Sequence, residues 1–176
     1  MVDIRIATIG DIKVIREIAY KTWPSTFRDI LSPGQIDYML EMMYSYGSLR
    51  EQISVKNHIF LIASIIVNGK ITETGYCSYE KRYSGENKIK IHKLYVLPEF
   101  QNTGSGRTLI SKVESVALEN NYYSITLNVN RNNKAVEFYQ KRGFSVIKEE
   151  IIPIGNGFVM DDCVMEKNII FTKSRL

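Results

Sequence analysis

The residues of this chain best suited to chemistry fall in its second half. His92 lies in the apolar stretch Lys90-Ile91-His92-Lys93-Leu94-Tyr95-Val96-Leu97, which stops at Pro98. Imidazole titrates near neutrality, which suits taking a proton from an ammonium group. The run Gln101-Asn102-Thr103-Gly104-Ser105-Gly106-Arg107 then leads into an amphipathic segment. A strand feeding a glycine turn at a helix start concentrates unbonded backbone N–H groups and the positive end of the helix dipole. Such a turn is a ready anion site, and phosphate is its usual occupant. Further on, Tyr139 offers a phenol of ordinary pKa ~10, protonated at neutral pH and able to donate.

The elements that must position these groups follow from periodicity and punctuation. Ile4 to Ala7 reads as a short strand, and Asp11 as the cap of a helix with Ile12, Ile15, Ile18 and Ala19 on one face and an end at Thr22-Trp23-Pro24. Ser32-Pro33 opens a second helix carrying Ile36, Met39, Leu40 and Met43, with Gln35 three residues after the serine. Its methionines and Tyr38, Tyr44 and Tyr46 suit core packing or the lining of an acceptor cleft. A third short helix covers Ser48 to Val55. Ile59 to Val67, the turn Asn68-Gly69 and Ile71 to Arg82 form a hairpin, and Ile89 to Leu97 adds a third strand. Leu109, Ile110, Val113, Val116 and Ala117 share a helix face, Ser124 to Asn130 is a strand, and Asn132 to Arg142 is a helix closed by Gly143. Phe144 to Ile152 and Phe158 to Lys167 complete the sheet. Strand, loop, helix, strand from Lys90 on predicts one parallel βαβ unit in a mixed, mostly antiparallel sheet flanked by helices, an α/β (α+β) fold.

Composition bounds the reading. At 176 residues, with 44% apolar and 24% charged, the chain is expected to be one domain over 1–168 with a C-terminal tail at 169–176. Cys77 and Cys163 stand far apart, with no metal-ligand spacing, so no metal and a reducing, cytoplasmic setting are expected. No signal-peptide pattern opens the chain, and the longest apolar run, Ile59 to Val67, is too short to cross a bilayer. Net charge is +4 with a pI near 9.0, yet the basic residues are dispersed rather than stacked on one helix face, so neither a nucleic-acid nor a membrane partner is expected.

Gln101-x-x-Gly104-x-Gly106 after a strand ending at Val96 resembles motif A of the Gcn5-related N-acetyltransferases (GNAT family). Asn132-Asn133-Lys134-Ala135-Val136-Glu137-Phe138-Tyr139-Gln140-Lys141-Arg142-Gly143-Phe144 matches the family's motif B, N-x-x-A-x-x-F-Y-x-K-x-G-F, at every fixed position. Thr22 to Phe27 and Leu31 to Leu40 also resemble the N-terminal half of bacterial spermine/spermidine acetyltransferases of the PaiA type.

The resemblance implies transfer of an acetyl group from acetyl-CoA to a primary amine of a small molecule, a polyamine among the candidates, by direct attack. It implies that the backbone amides of Gln101, Asn102, Thr103, Gly104, Ser105 and Gly106 hold the pyrophosphate, with Arg107 and Lys134 toward the outer phosphates and Asn132 as a cofactor-side contact. Leu94, Tyr95 and Val96 are expected to pair with the pantetheine arm, the Val96 N–H facing the thioester oxygen as an oxyanion donor. Tyr139 is the expected general acid and His92 the candidate base, with a hydrogen-bonded structural histidine as the other reading. His58, at a strand start, reads as structural, and Lys90 cannot easily act as a base unless buried. Glu17, Asp29, Asp37, Glu41 and Glu73 are available to pair with the ammonium groups of an acceptor. A homodimer is admitted. A non-catalytic acyl-CoA-binding module and a protein or peptide N-acetyltransferase are the alternatives on the same fold.

Overall fold

A computed structural model describes residues 1–169. Its strands are β1 (Asp3–Ile6), β2 (Ile59–Val67), β3 (Lys70–Lys81), β4 (Lys88–Val96), β5 (Ser124–Asn130), β6 (Ser145–Gly155) and β7 (Phe158–Asn168). Its helices are α1 (Ile12–Phe27), α2 (Pro33–Tyr44), α3 (Tyr46–Ser54), α4 (Ser105–Glu119) and α5 (Ala135–Gln140). The strands hydrogen-bond in the order β1-β2-β3-β4-β5-β7-β6. β4 and β5 are parallel, while β1–β2, β2–β3, β5–β7 and β6–β7 are antiparallel. This is the mixed α/β sheet expected from the sequence. The described residues form two compact units, 1–80 with 92–112, and 81–91 with 113–169. The expected tail lies, from residue 170, outside the described residues. Among those described, no helix is long and apolar enough to cross a membrane.

In the first unit, α1 buries Ile12, Ile15, Ile18, Ala19, Thr22, Trp23 and Phe27. Two expectations are corrected here. Asp11 holds the N-cap position of α1 but makes no side-chain cap bond there; its carboxylate accepts from the Thr8 N–H at 2.8 Å and from Arg5, completing a capping box on the short turn Ile9–Asp11. Nor does α1 stop at Pro24. Proline removes one helical hydrogen bond, but Trp23 and Phe27 are both buried with ring centroids 4.6 Å apart, and carrying the helix one more turn keeps that contact. α2 starts as expected, Ser32 accepting from the Gln35 N–H at 3.2 Å. The hairpin turn has Asn68 at φ 51° and Gly69 at φ 76°, the pair of positive values an Asn-Gly turn supplies. Trp23, Tyr44, Tyr76 and Tyr95 close a ring of aromatic contacts with centroids 5.8–6.4 Å apart. Tyr44 and Tyr76 are fully buried, so Tyr44 is core rather than cleft lining.

In the second unit, Lys88–Ile91 of β4 pair with Ser124–Leu127 of β5. Ile89, Ile91, Val113, Ala117, Ile125, Leu127 and Met165 are buried. The helix expected over Asn132 to Arg142 is shorter: α5 covers Ala135–Gln140, with the Asn133 side chain accepting from the Ala135 N–H at 2.9 Å. Gly143 at φ 85° ends it as expected, and the Phe144 N–H reaches back to the Tyr139 carbonyl at 3.1 Å.

Candidate active site

The glycine loop belongs to the first unit. After β4 the Leu97 N–H donates to the Thr74 carbonyl at 2.8 Å, and Pro98–Phe100 make one tight turn. Asn102 (φ 64°) and Gly104 (φ 95°) then bend the chain through the left-handed region before α4 starts at Ser105. A Cβ on Gly104 would meet nothing within 4 Å, so glycine is needed there for its backbone conformation, not for space. The Thr108 N–H donates to the Gly104 carbonyl at 2.9 Å, a bond that closes the helix's first turn. Amides ahead of the first closed turn of a helix have no intrahelical partner.

The hydroxyls of the loop are hydrogen-bonded to other groups of the protein. Thr103 donates to the Phe100 carbonyl at 2.7 Å and lies 3.0 Å from the Ser105 hydroxyl. Ser105, itself buried, shares a 2.8 Å hydrogen bond with buried Thr74 of β3. These contacts anchor the loop to the sheet, and the Gln101 and Thr103 N–H groups donate to the Pro98 and Phe100 carbonyls at 3.2 and 3.4 Å. Gln101, Asn102 and Arg107 are exposed.

β3 presses against the end of β4 at Gly75. A Cβ there would stand 2.5 Å from the Tyr95 carbonyl oxygen and 3.0 Å from the Val96 Cα. Leu94 and Val96 are half-buried. The Tyr95 ring is committed to the core between Trp23 and Tyr76, 5.9 Å from each.

His92 is half-buried in a polar cluster. Its Nε2 lies 3.0 Å from Glu80 Oε2 on β3, and the His58 Nε2 lies 3.9 Å from the same oxygen. The two imidazoles stack with centroids 3.9 Å apart and planes 13° from parallel. Burial first, then the charges of Lys93 and Lys56, push the His58 pKa down to about 4. Neighbouring Lys93 donates to Gln52 Oε1 at 2.7 Å over the face of Tyr44, and burial holds its ammonium down to about 8. Sequence reasoning placed His92 but missed Glu80 and the stack. Pairing outward from the Asn68-Gly69 turn brings Ile59 opposite Tyr79, so His58 and Glu80 were within one residue of that count.

The second unit carries the remaining predicted residues. Tyr139 is buried on α5, edge-on to Phe138 at 5.4 Å and Phe144 at 5.8 Å. Asn132 and Lys134 are exposed in the segment before the helix, and the Asn132 N–H donates to the Asn130 side chain at 3.0 Å. Asn132 is not the helix N-cap: that position is Lys134, without a side-chain cap bond, and Asn133 before it accepts from the Ala135 N–H. Lys90 is buried, bonded to the Asn128 side chain and lowered to about 8, chiefly by burial.

A glycine loop opening a 15-residue helix straight after a central strand, followed by the motif around Tyr139, defines an acetyltransferase of the GNAT class. The model of the acetyltransferase (GNAT) domain matches residues 29–162, and the chain belongs to that family. It is 26% identical over 161 residues to a spermidine N(1)-acetyltransferase of Thermoplasma acidophilum, covering 91% of this chain and 96% of the relative. Its fold is similar to the crystal structure of the PaiA N-acetyltransferase from Thermoplasma acidophilum in complex with coenzyme A, with a TM-score of 0.74 and 27% identity over 96% of this chain and 99% of that one. It also shares its fold with yncA, described as a putative acetyltransferase, from Salmonella typhimurium with its cofactor acetyl-CoA, with a TM-score of 0.62 and 21% identity over 99% and 98% of the two chains.

Proposed function

We propose that this N-acetyltransferase moves the acetyl group of acetyl-CoA to a primary amine of a small molecule, with polyamines as the acceptor class. The observation that carries the reading is the loop Gln101–Gly106. It is bent by Gly104 at φ 95°, pinned through Ser105 to Thr74, and opens α4 with the amides at the helix start, from Gly104 on, offered as donors. That donor set fits the pyrophosphate of acetyl-CoA, which supplies a thioester carbonyl open to nucleophilic attack. Arg107, Lys134 and Asn132, all exposed, suit contacts to the outer parts of the same cosubstrate.

In this reading His92 takes the proton from the acceptor's R–NH3+, and the freed amine lone pair forms the new C–N bond as the C–S bond breaks. The Val96 N–H faces the charge that develops on the carbonyl oxygen, and one such donor is worth about 3 kcal/mol. Tyr139 gives its proton to the departing thiolate, and the second proton that the acetylated nitrogen sheds to become a neutral amide replaces it by way of solvent. The polyamine class is supported by the full-length similarity to a spermidine N(1)-acetyltransferase. Of the carboxylates available to ammonium groups, Asp29 and Glu17 are exposed beside Arg28 and Lys13, and Glu73 lies 3.9 Å from Arg5.

The test is release of free CoA thiol from acetyl-CoA with spermidine, spermine, aminoglycosides, amino acids, and lysine or N-terminal peptides as acceptors. Release driven by the polyamines is expected. Release driven only by peptides makes the enzyme a protein N-acetyltransferase, and tight acetyl-CoA binding with no release makes it a binding module.

A further inference from the structure

Resting on the reading of His92 as the base, we propose that Glu80 is its positioning residue. Glu80 fixes His92 in the tautomer that can take the acceptor's proton, and the stacked His58 ring holds the imidazole plane. An ionised carboxylate only accepts hydrogen bonds, so the His92 nitrogen 3.0 Å from Glu80 Oε2 is the one that carries hydrogen. With Nε2 protonated, the lone pair of neutral His92 is on Nδ1, and this is the nitrogen that takes the proton. The resulting imidazolium is stabilised by the Glu80 charge. His92 returns the proton to solvent after the transfer.

The groups around the pair assign the other roles. Glu80 faces it from β3 and His58 from the residue before β2, while Lys93 on β4 and Lys56 after α3 act on His58. Burial and those two cations hold the His58 imidazole pKa down, so His58 serves His92 as a neutral stacking partner. Swinging the His92 ring about its bond to Cβ would break a face contact of 3.9 Å at 13°.

The same three side chains also present donor atoms all within 4.8 Å of one another, a two-histidine, one-carboxylate set known from zinc sites. An imidazole binds a metal in its ring plane, at about 2.0–2.1 Å for zinc. Two nearly parallel rings 3.9 Å apart send their lone pairs side by side instead of toward one point, so the geometry favours holding a proton over holding an ion.

The test uses the full chain, with Glu80→Gln, Glu80→Asp and His92→Ala. In the parent protein, 15N chemical shifts are expected to report the Nε2–H tautomer of His92. The Nδ1–H tautomer would overturn the proposal without need of any variant. Glu80→Gln is expected to lower kcat about tenfold with KM nearly unchanged, and to move the acidic limb of kcat/KM down by about one pH unit, since the imidazolium loses its counter-charge. Glu80→Asp should restore part of both. An acidic limb that stays in place in Glu80→Gln overturns the proposal. If His92→Ala keeps that limb, it is the base reading that fails instead. Micromolar binding of Zn2+ alone, shifting both histidines and lost in Glu80→Gln, would overturn the proposal in favour of a metal site.

Discussion

Replacing Gly75 with alanine would drive a methyl group into backbone, not into a side chain that could step aside. The added Cβ stands 2.5 Å from the Tyr95 carbonyl oxygen and 3.0 Å from the Val96 Cα, against an ordinary non-bonded separation of about 3.5 Å. β3 and the end of β4 would have to part by about 1 Å to restore that separation. Overpacking of this kind costs about 1–3 kcal/mol, and a value near 2 lowers the Tm of a chain this long by ~4–8 °C. The strain falls on Val96, whose N–H is the proposed oxyanion donor. A displacement of ~1 Å at such a group can cost about 100-fold in turnover. Gly47→Ala is the control: nothing lies within 4 Å of its added Cβ inside α3, so it should gain ~0.5–1 kcal/mol and raise Tm by about 2 °C. Thermal unfolding by circular dichroism and steady-state CoA release are read on both variants. A Gly75→Ala protein that melts and turns over like its parent would refute the reasoning.

Tyr139→Phe should lower acetyl transfer at least about tenfold while CoA affinity measured by calorimetry stays put; unchanged turnover removes the phenol from the mechanism. The hydrogen bond from Arg5, followed by those from Thr8, holds the Asp11 carboxyl down at about 2. A lowered carboxylate contributes stability in full above about pH 4 and loses it toward pH 2, here about 1 kcal/mol for a partly exposed pair. Asp11→Asn should abolish that acid-dependent loss in urea titrations, and an unaltered pH profile would count against it. Lys93 is lowered, chiefly by burial, so the folded protein binds this proton more weakly than the unfolded chain, and stability should rise with pH between about 8 and 10. Lys93→Met should flatten that rise and gain about 1 kcal/mol at pH 7, after the loss of a partner for Gln52; a parent whose stability is flat over this range refutes the point.

Much of the fold was legible because its signals are local. The Asn68-Gly69 turn, the Ser32 cap and the Gly143 stop each depend on residues within four positions, and each appears where the sequence puts it. Where the reading erred, a distant partner had intervened. Pro24 looked like a helix end until the burial of Trp23 and Phe27 outweighed one lost hydrogen bond. Asp11 holds the N-cap position read for it, but Arg5 on β1 and Thr8 claim the carboxylate that was to cap the helix.

By itself the sequence determined the glycine loop, the helix it opens and the motif around Tyr139, since residue type and spacing along one stretch specify a backbone path and a donor set. Tertiary structure decided what that stretch is tied to and what surrounds His92. Ser105 meets Thr74 across 31 residues, and His92 meets Glu80 across 12 with His58 stacked behind it. Strand periodicity tells which face a side chain takes, but the partner across the sheet depends on register. Register is settled only when hairpin turns, bulges such as the one at Ala63/Ser64, and the burial of the core are satisfied together.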